Sequence, residues 1–352
     1  MNIKIFIEPV EKFRKRFKAK GTSLTSIIYE LDKESIKDYS KMDLIVESSE
    51  FLTLNNHVIE NFRMFLNRIN PKNVYINNPP KKIINSLKDC SKIESFDYPK
   101  ITKEKLKEID LKFKKNILGQ EKARINILSI LYQSIKDKNK PKVMLFYGPP
   151  GVGKTETAKL ISNLLGGKLL RKQLSLYRAN DFTDYLFGGK HGKSCFSKDL
   201  LDRESNVILL DEFDKCDSTF YGAFYQMFDE GLFEDENYKV KLEGSIIICT
   251  SNYKNEDEVK KCIGDALYSR FDGIIKFSDL NLDTKIEIVS KEYEDIFNSL
   301  ENEERKIVLE VCPDLKNKLI NTVYLAENVR EIRKLINQCI SLILVNNLIE
   351  SS

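Results

Sequence analysis

The sequence predicts an α/β fold in which a parallel sheet carries helices on both faces. Three continuous apolar runs, at 142–148, 206–211 and 244–252, are separated by segments with helical periodicity. Short apolar strands that alternate with helices are typical of a parallel sheet buried on both sides. From about Leu280 to Ser352 the pattern is helical throughout, which indicates a separate helical lid.

A smaller α/β domain is predicted before this sheet. Strand candidates lie at 2–8, 43–48 and 73–78, and the stretch 55–69 between the last two has a helical pattern. Pro79-Pro80 then breaks the chain before a short helix. The predicted organisation is a small α/β domain over 1–98, a connector over 99–116, a larger α/β region over 117–279 and a helical lid over 280–352.

Composition and charge place few limits on partners. The 352 residues, 41% of them hydrophobic, suffice for more than one packed core. Residues 1–116 hold 24 Lys and Arg against 16 Asp and Glu, a net charge of +8, and the remainder carries −4. This asymmetry is compatible with an acidic partner or nucleic acid at the N-terminal part, whereas a solvated Lys-rich surface explains it without any partner.

Cysteine and histidine usage argues against a zinc site and for a reducing compartment. The seven cysteines are scattered without a C-x-x-C pair, and His57 and His191 offer no zinc-ligand spacing. No apolar run approaches the roughly 18 residues of a membrane span, and the N-terminus lacks a signal-peptide pattern. We therefore expect a cytoplasmic protein with no membrane partner.

The residues that follow the strand at 142–148 form a phosphate-binding loop. "GPPGVGKT", from Gly148 to Thr155, satisfies G-x-x-x-x-G-K-[ST] in the strand–loop–helix context that the motif requires. Backbone N–H groups and the helix N-terminus would surround ATP phosphates, Lys154 would bridge the outer ones and the Thr155 hydroxyl would bind Mg²⁺. The predicted loop residues are Pro149, Pro150, Gly151, Val152, Gly153, Lys154, Thr155 and Glu156.

Polar residues at the ends of the next two apolar runs complete a hydrolytic site. Asp211 and Glu212 end the run "VILLDE", where carboxylates would face the phosphate loop. Asp211 is predicted to contact Mg²⁺, and Glu212 to orient and deprotonate the attacking water. Asn252 ends the third run and could position that water near the γ-phosphate.

With these motifs the chain resembles the AAA+ ATPases, and within them the Clp-type unfoldases, particularly the second ATPase module of the two-ring members. The resemblance covers roughly residues 115–345. It rests on the motifs above and on "NILGQEKARINI" (116–127), "FDKCDSTFYGAFYQMFDEGLFED" (213–235), "ALYSRFDGIIKF" (266–277) and "NVREIRKLI" (328–336).

The resemblance implies an AAA+ sheet with a small helical lid, and it assigns further site residues. Leu118 and Gly119 would flank the adenine. Arg270 corresponds to the arginine finger, which acts in a neighbouring subunit's site, and Arg330 to the second sensor in the lid. Guanidinium groups suit both roles because charge spreads over the γ-phosphate oxygens during phosphoryl transfer.

The resemblance also implies a pore loop between the phosphate loop and Asp211. The segment "FGGKHGKS" (187–194) ends like a phosphate loop, but Phe187 stands where that motif needs glycine. Tyr185 and Phe187 would supply a ring that grips a translocating chain. The family's usual Gly-Tyr-Val-Gly is absent, so either ring could face the pore. Flexibility and positive charge would come from Gly188, Gly189, Gly192, Lys190, His191 and Lys193.

Three functional hypotheses result. The favoured one is an ATP-hydrolysing ring, a homo-hexamer, that remodels or unfolds a protein client or adaptor chosen by the domain at 1–98. The second is a nucleic-acid-associated loader or regulator whose basic segment 12–20 touches phosphates. The third is a nucleotide-dependent assembly switch with little translocation. The peptidase-docking tripeptide of Clp unfoldases is missing between 253 and 265, which weakens any protease partnership.

Overall fold

The computed structural model describes residues 1–17, 20–33, 38–176, 179–188 and 194–350, and of residues 179–181 the backbone alone. These residues build two five-stranded parallel sheets and a C-terminal helical layer. The α/β class with a helical lid is therefore confirmed.

The first sheet occupies the N-terminal region, with the spatial order β2-β3-β4-β1-β5 and all neighbours parallel. The strands predicted at 2–8, 43–48 and 73–78 are confirmed as β1, β3 and β4. Two further strands, β2 and β5, are short or largely polar and were not predicted. The elements are β1 (Asn2–Ile7), α1 (Val10–Phe17), β2 (Thr22–Ser23), α2 (Leu24–Asp32), β3 (Asp43–Val46), α3 (Asn56–Glu60), α4 (Phe62–Ile69), β4 (Asn73–Asn77), α5 (Lys81–Leu87) and β5 (Ser91–Ser95).

The two faces of this sheet are covered differently. Ile3 and Ile5 of β1 lie in a buried aliphatic core together with Val74 and Ile76 of β4. On the opposite face Phe6 packs beneath α1, with its ring 5.8 Å from that of Phe13. The alternation of side chains along a strand produces this division.

The second sheet has the order β12-β6-β11-β8-β7, again parallel, and the three predicted apolar runs are its central neighbours β6, β11 and β8. Edge strand β7, with the polar sequence LRKQ, lacks the apolar residues by which a buried strand is predicted.

The elements of this region follow in chain order. They are α6 (Lys103–Asn116), α7 (Glu121–Lys136), β6 (Lys142–Tyr147), α8 (Lys154–Leu165), β7 (Leu170–Gln173), α9 (Ala179–Phe187), α10 (Phe196–Leu201), β8 (Val207–Asp211), α11 (Gly222–Glu230), the antiparallel hairpin β9 (Leu232–Glu234) and β10 (Lys239–Lys241), β11 (Ile246–Thr250), α12 (Glu256–Tyr268) and β12 (Gly273–Lys276).

Four helices follow the second sheet. They are α13 (Leu282–Ser299), α14 (Asn302–Val311), α15 (Leu315–Thr322) and α16 (Val329–Glu350). A single hydrophobic core joins them to one face of the sheet, with Phe146 and Phe277 on the sheet side and Ile288 and Ile336 on the helical side. The helical layer therefore sits close to the loop that follows β6.

Candidate nucleotide-binding site

Three glycines shape the loop between β6 and α8. Gly148, Gly151 and Gly153 have φ values of 131°, 75° and 109°. Residues other than glycine rarely adopt such positive φ angles. A Cβ atom at Gly148 would lie 2.1 Å from the carbonyl oxygen of Phe277. The loop can therefore close only with glycine at that position, and it leads directly into the N-terminus of α8, where backbone N–H groups favour an anion.

Lys154, the first residue of α8, points back into this loop. Its Nζ donates to the carbonyl oxygens of Gly148 (2.5 Å) and Pro149 (2.7 Å) and to Asn252 Oδ1 (3.2 Å). Burial lowers the pKa of Lys154 to about 8, although nearby carboxylates act in the opposite direction. The ammonium group thus lies between the phosphate loop and Asn252, which follows β11.

Asp211 ends β8 and is held from two sides. The Thr250 hydroxyl donates to Asp211 Oδ1, and Arg171 contacts Oδ2 through Nε (2.8 Å) and Nη2 (2.5 Å). The carboxylate is 5% exposed, so its direction is fixed by these partners. Sequence reasoning missed both Arg171 and Thr250, because their contact with Asp211 comes from the strand order.

Glu212 has an unusual backbone conformation for a residue with a side chain. Its φ of 57° and ψ of 47° lie in the left-handed region, which is costly outside glycine and concentrates at functional sites. The Thr250 hydroxyl accepts the Glu212 N–H at 3.0 Å, and Gln173 donates to Glu212 Oε2 at 3.1 Å. The side chain next to Asp211 is thereby turned to a fixed direction.

A third carboxylate, missed by sequence reasoning, follows Asp211 and Glu212. Asp214 has a side chain that is 7% exposed and an Nζ–Oδ2 distance of 3.6 Å to Lys215. Its Oδ1 has no hydrogen-bond partner among the described residues. Asp214 lies in the turn that directly follows Glu212, and its charge acts against the burial that lowers the pKa of Lys154. The repeated acid in "DEFD" was the available signal.

The predicted adenine segment packs beside the phosphate loop. A Cβ at Gly153 would meet Ile117 Cγ2 at 3.0 Å, and one at Gly119 would meet Thr284 Cγ2 at 2.7 Å. Leu118 between them is half-buried against the core. The segment before α7 thus bridges the loop and the first lid helix, α13.

The start of α16 approaches the same loop from the lid. Val329 N donates to Gly151 O at 3.3 Å, and a Cβ at Gly151 would lie 2.8 Å from Asn328 Oδ1. Arg330 is exposed there, and its charge opposes protonation of Lys154. The lid arginine and the phosphate loop are therefore neighbours.

Two predicted residues of the first turn of α8 differ in their surroundings. Thr155 is half-buried, next to Lys154. Glu156 is exposed, and its carboxylate accepts from Lys159 Nζ at 2.7 Å. The Glu156 side chain therefore forms an ion pair on the helix surface, and only its backbone lies in the first turn next to the phosphate loop.

Arg270 lies far from the phosphate loop of its own chain. It precedes β12, and Asp272 N donates to Val143 O near the start of β6 at 2.8 Å. The phosphate loop begins five residues later at Gly148, about 16 Å away at roughly 3.3 Å per residue. Arg270 instead contacts Asp229 Oδ2 at 2.9 Å.

The two candidate pore-loop rings have different environments. Tyr185 is 6% exposed, packs against Phe196 and donates to Asp199 Oδ2 at 2.5 Å. Phe187 is 47% exposed. Phe187 is thus the ring available to a ligand. The predicted loop residues Gly189, Lys190, His191, Gly192 and Lys193 lie outside the described residues.

Comparison with known protein families gives a match over the region of this site. Residues 139–320, more than half of the chain, match the family described as AAA domain (Cdc48 subfamily). The chain belongs to this AAA family. Nucleotide binding and ATP hydrolysis come with the family, and the predicted AAA+ resemblance is confirmed.

Curated relatives agree with the resemblance to Clp-type proteins. ATP-dependent Clp protease ATP-binding subunits ClpL of Staphylococcus aureus strains MRSA252 and bovine RF122 / ET3-1 are each 29% identical over 262 residues, 67% of this chain and 37% of the relative. The chain thus spans little more than a third of these relatives.

A cryo-EM structure described as the closed state of Hsp104 with ATPγS and FITC casein aligns with a TM-score of 0.60 at 15% identity. The alignment covers 99% of this chain and 88% of that chain, and it supports the fold. Among the described residues, no helix is long and apolar enough to cross a membrane.

Proposed function

We propose that this chain is a Mg²⁺-dependent ATPase that forms a ring, a hexamer, and uses hydrolysis to remodel or unfold a protein partner. The convergence of Lys154, Asp211, Glu212 and Asn252 at the adjoining ends of β6, β8 and β11 supports the ATPase part. The Clp relatives support the remodelling part. Selection of the partner is assigned to residues 1–98.

The donor set fits a magnesium ion. Thr155 offers a hydroxyl at the start of α8, and Asp211 offers a buried carboxylate held by Arg171 and Thr250, which are the hard oxygen ligands that Mg²⁺ prefers. When bound, the ion would neutralise charge on the outer phosphates. Lys154 would bind those phosphates in place of its present carbonyl partners.

Glu212 is assigned as the general base for the attacking water. Its backbone strain and its hydrogen bonds to Thr250 and Gln173 fix the carboxylate beside Asp211. Asn252, 3.2 Å from Lys154 Nζ, is assigned to orient the same water. Preorganised groups of this kind stabilise the reacting charge without rearrangement.

Two arginines extend the site beyond the sheet. Because Arg270 lies at the amino end of the strands, it is assigned as a finger that completes a neighbouring subunit's site. Arg330 next to the phosphate loop is assigned to couple nucleotide state to lid position. The chain would accordingly divide into a recognition domain (1–98), a connector (99–116), a nucleotide-binding subdomain (117–279) and a lid (280–352).

The N-terminal region contacts two segments next to the proposed pore loop, the residue after α10 and the β9–β10 turn, and these contacts support a coupling between residues 1–98 and that loop. Asn78, fully buried after β4, donates to Asp202 Oδ1 at 2.8 Å, just beyond α10. Lys81 Nζ donates to Asp235 O at 2.7 Å in the β9–β10 turn. The β9–β10 turn also contacts the first residue of the proposed pore loop, since Glu236 N donates to Phe187 O at 3.1 Å. A partner bound at the N-terminal domain could therefore bias the loop.

The nucleic-acid alternative loses support from the basic segment. Arg14 pairs with Glu47 at 2.8 Å, and Arg16 pairs with Glu8 at 3.1 Å. The charges of Arg14 and Arg16 are thus paired with carboxylates of the same region. Lys18 and Ala19 lie outside the described residues.

The proposal is tested by trapping the ATP-bound state. Glu212→Gln should bind ATP but hydrolyse it at least about 100-fold more slowly, because the base is removed. With ATP and FITC-labelled casein as the probe, this variant should retain casein in a large complex on size-exclusion chromatography. Lys154→Ala, which cannot hold the phosphates, is the matched control and should retain none.

Three outcomes oppose the proposal. Normal turnover in Glu212→Gln overturns the assignment of the base. A nucleotide-dependent ring that never retains casein, even as the trapped variant, favours an assembly switch. A salt-sensitive capture of nucleic acid by the full chain would instead favour the loader reading.

A further inference from the structure

A small cavity lies at the carboxyl edge of the N-terminal sheet, between α1 and the end of β5. Its volume is about 240 Å³, and its walls include Phe6, Glu8 and Phe96. Ligands of parallel α/β sheets bind outside the carboxyl ends of the strands. The cavity therefore lies at a place where this class of sheet commonly binds a ligand, on the face where Phe6 packs beneath α1.

Glu8 is the buried polar group of this cavity. It is 3% exposed, and its Oε2 accepts from Arg16 at 3.1 Å. Its Oε1 has no hydrogen-bond partner among the described residues. The Glu8 backbone is fixed by Asn78, whose side chain accepts the Glu8 N–H at 3.1 Å. A buried carboxylate oxygen without a donor is unfavourable, so a donor that reaches Oε1 from the cavity would relieve this cost.

The other charges indicate what that group is. Lys12 Nζ already lies 3.7 Å from the centroid of the Phe96 ring. The Arg16 guanidinium is shared between Glu8 and Glu94, the latter at 3.8 Å. Acidic groups outnumber basic ones in the lining, which contains Glu8, Glu94 and Asp97 against Lys12 and Arg16. A bound anion would meet three carboxylates and two cations, whereas a cationic donor would meet the same excess of carboxylates and could pair with Glu8 Oε1.

We propose that this cavity binds the ε-ammonium group of a lysine side chain on the protein that the N-terminal domain selects. Glu8 Oε1 accepts the hydrogen bond, and the half-buried Phe96 ring contacts the methylene stem, as amphipathic side chains prefer. This inference rests on the proposed function, since it names the chemistry by which residues 1–98 recognise a client.

The test uses the full-length chain and a synthetic peptide as the probe. The peptide is N-acetylated, alanine-rich and fluorescent, and it carries one lysine. A twin peptide carries acetyl-lysine at the same place. Fluorescence anisotropy should show binding of the first peptide, and Glu8→Gln should weaken it at least about tenfold, because a charged hydrogen bond is lost. Glu60→Gln, an exposed acid of the same domain that pairs with Lys82, is the control and should bind normally.

Several results would overturn the site. One is equal binding of the lysine and acetyl-lysine peptides. This comparison uses only the wild-type chain, so it remains informative even if Glu8→Gln fails to fold. Another is equal affinity of the wild-type and Glu8→Gln chains. In either case, casein retention by Glu212→Gln would show that the proposed function stands without this site. Conversely, Glu8-dependent peptide binding without any casein retention would leave the site standing and remove the remodelling function.

Discussion

The two parallel sheets of this chain use their carboxyl edges for different purposes. In the second sheet, the edge formed by β6, β11 and β8 ends in a glycine loop, an asparagine and a carboxylate that converge around Lys154. In the first sheet, the edge at β4 ends in Asn78, which is fully buried and donates to Asp202 of the neighbouring domain. The first of these edges forms the proposed nucleotide site, and the other contacts the region that contains this site.

Local residue types explain this difference. Glycines at positive φ open the β6 edge, since a side chain at Gly148 would collide with Phe277. Asn78 also has a positive φ, 44°, but its amide side chain fills the edge and bonds to Glu8 and to Asp202. The carboxyl end of β6 is thus a candidate ligand site because side chains are absent there, whereas the carboxyl end of β4 contacts the region after α10 because polar side chains occupy it.

The largest expected effect concerns the nucleotide edge. Lys154→Ala should abolish ATP binding, because it removes the ammonium group that bonds to Gly148, Pro149 and Asn252 inside the loop. Isothermal titration calorimetry with ATP measures this. Lys159→Ala, on the exposed side of the same helix, should bind as the wild type does. Tight ATP binding by the Lys154→Ala protein would mean that the edge is not the nucleotide site.

The next effect tests whether the nucleotide edge is completed by another subunit. Arg270→Ala should lose about 100-fold or more in hydrolysis with unchanged ATP affinity, because a transition-state cation is removed from a neighbour's site. Asp229→Ala breaks the ion pair of Arg270 but keeps the cation, and it should retain activity.

Mixing gives the decisive version of the finger experiment. Arg270→Ala combined with Lys154→Ala should recover part of the hydrolysis, since some interfaces pair an intact loop with an intact finger. Mixed rings that remain inactive would contradict a role across the subunit boundary.

A third prediction distinguishes the roles of Tyr185 and Phe187, the two aromatic rings proposed for the pore loop. Tyr185→Ala should lower the free energy of unfolding by about 3 kcal/mol or more, as expected for a buried aromatic ring. Phe187→Ala should stay within about 0.5 kcal/mol of the wild type and keep basal hydrolysis, but lose remodelling of casein. Chemical denaturation and a casein-unfolding assay measure both. Full remodelling activity in Phe187→Ala would remove this ring from the mechanism.

The smallest predicted effect concerns Thr250, which joins Asp211 to Glu212. Thr250→Val leaves the Asp211 oxygen and the Glu212 N–H without their shared partner. The free energy of unfolding should fall by about 1–3 kcal/mol, and hydrolysis should slow while ATP still binds. Thr250→Ser keeps the hydroxyl and should behave as the wild type. Equal behaviour of the Val and Ser variants would exclude this linking role.

The sequence predicted those parts of the site that a short motif encodes. The loop from Gly148 to Thr155 and the pair Asp211 and Glu212 follow from apolar strands with fixed residues at their ends. Thr250 and Arg171 could not be found in this way, because they reach Asp211 only through the strand order of the folded sheet. The choice between two rings depended on side-chain packing, which a periodic pattern does not resolve.

Missed strands have an equally simple origin. β5 and β7 lie at sheet edges, where polar and half-exposed residues suffice and the apolar signal of a buried strand is absent. The domain joint was also invisible in the sequence, since Asn78 and Asp202 lie 124 positions apart.

The most direct measurement of the central claim is casein-stimulated ATP hydrolysis when the joint between the two sheet edges is broken. Asp202→Ala combined with Lys81→Ala removes the contacts to Asn78 and to the β9–β10 turn. The control, Lys82→Ala with Glu60→Ala, removes an exposed ion pair of the N-terminal domain. We expect casein to stimulate the wild type and the control. The joint variant should keep its basal rate within about twofold and lose the stimulation. Undiminished stimulation in the joint variant would contradict coupling between the N-terminal domain and the ATPase.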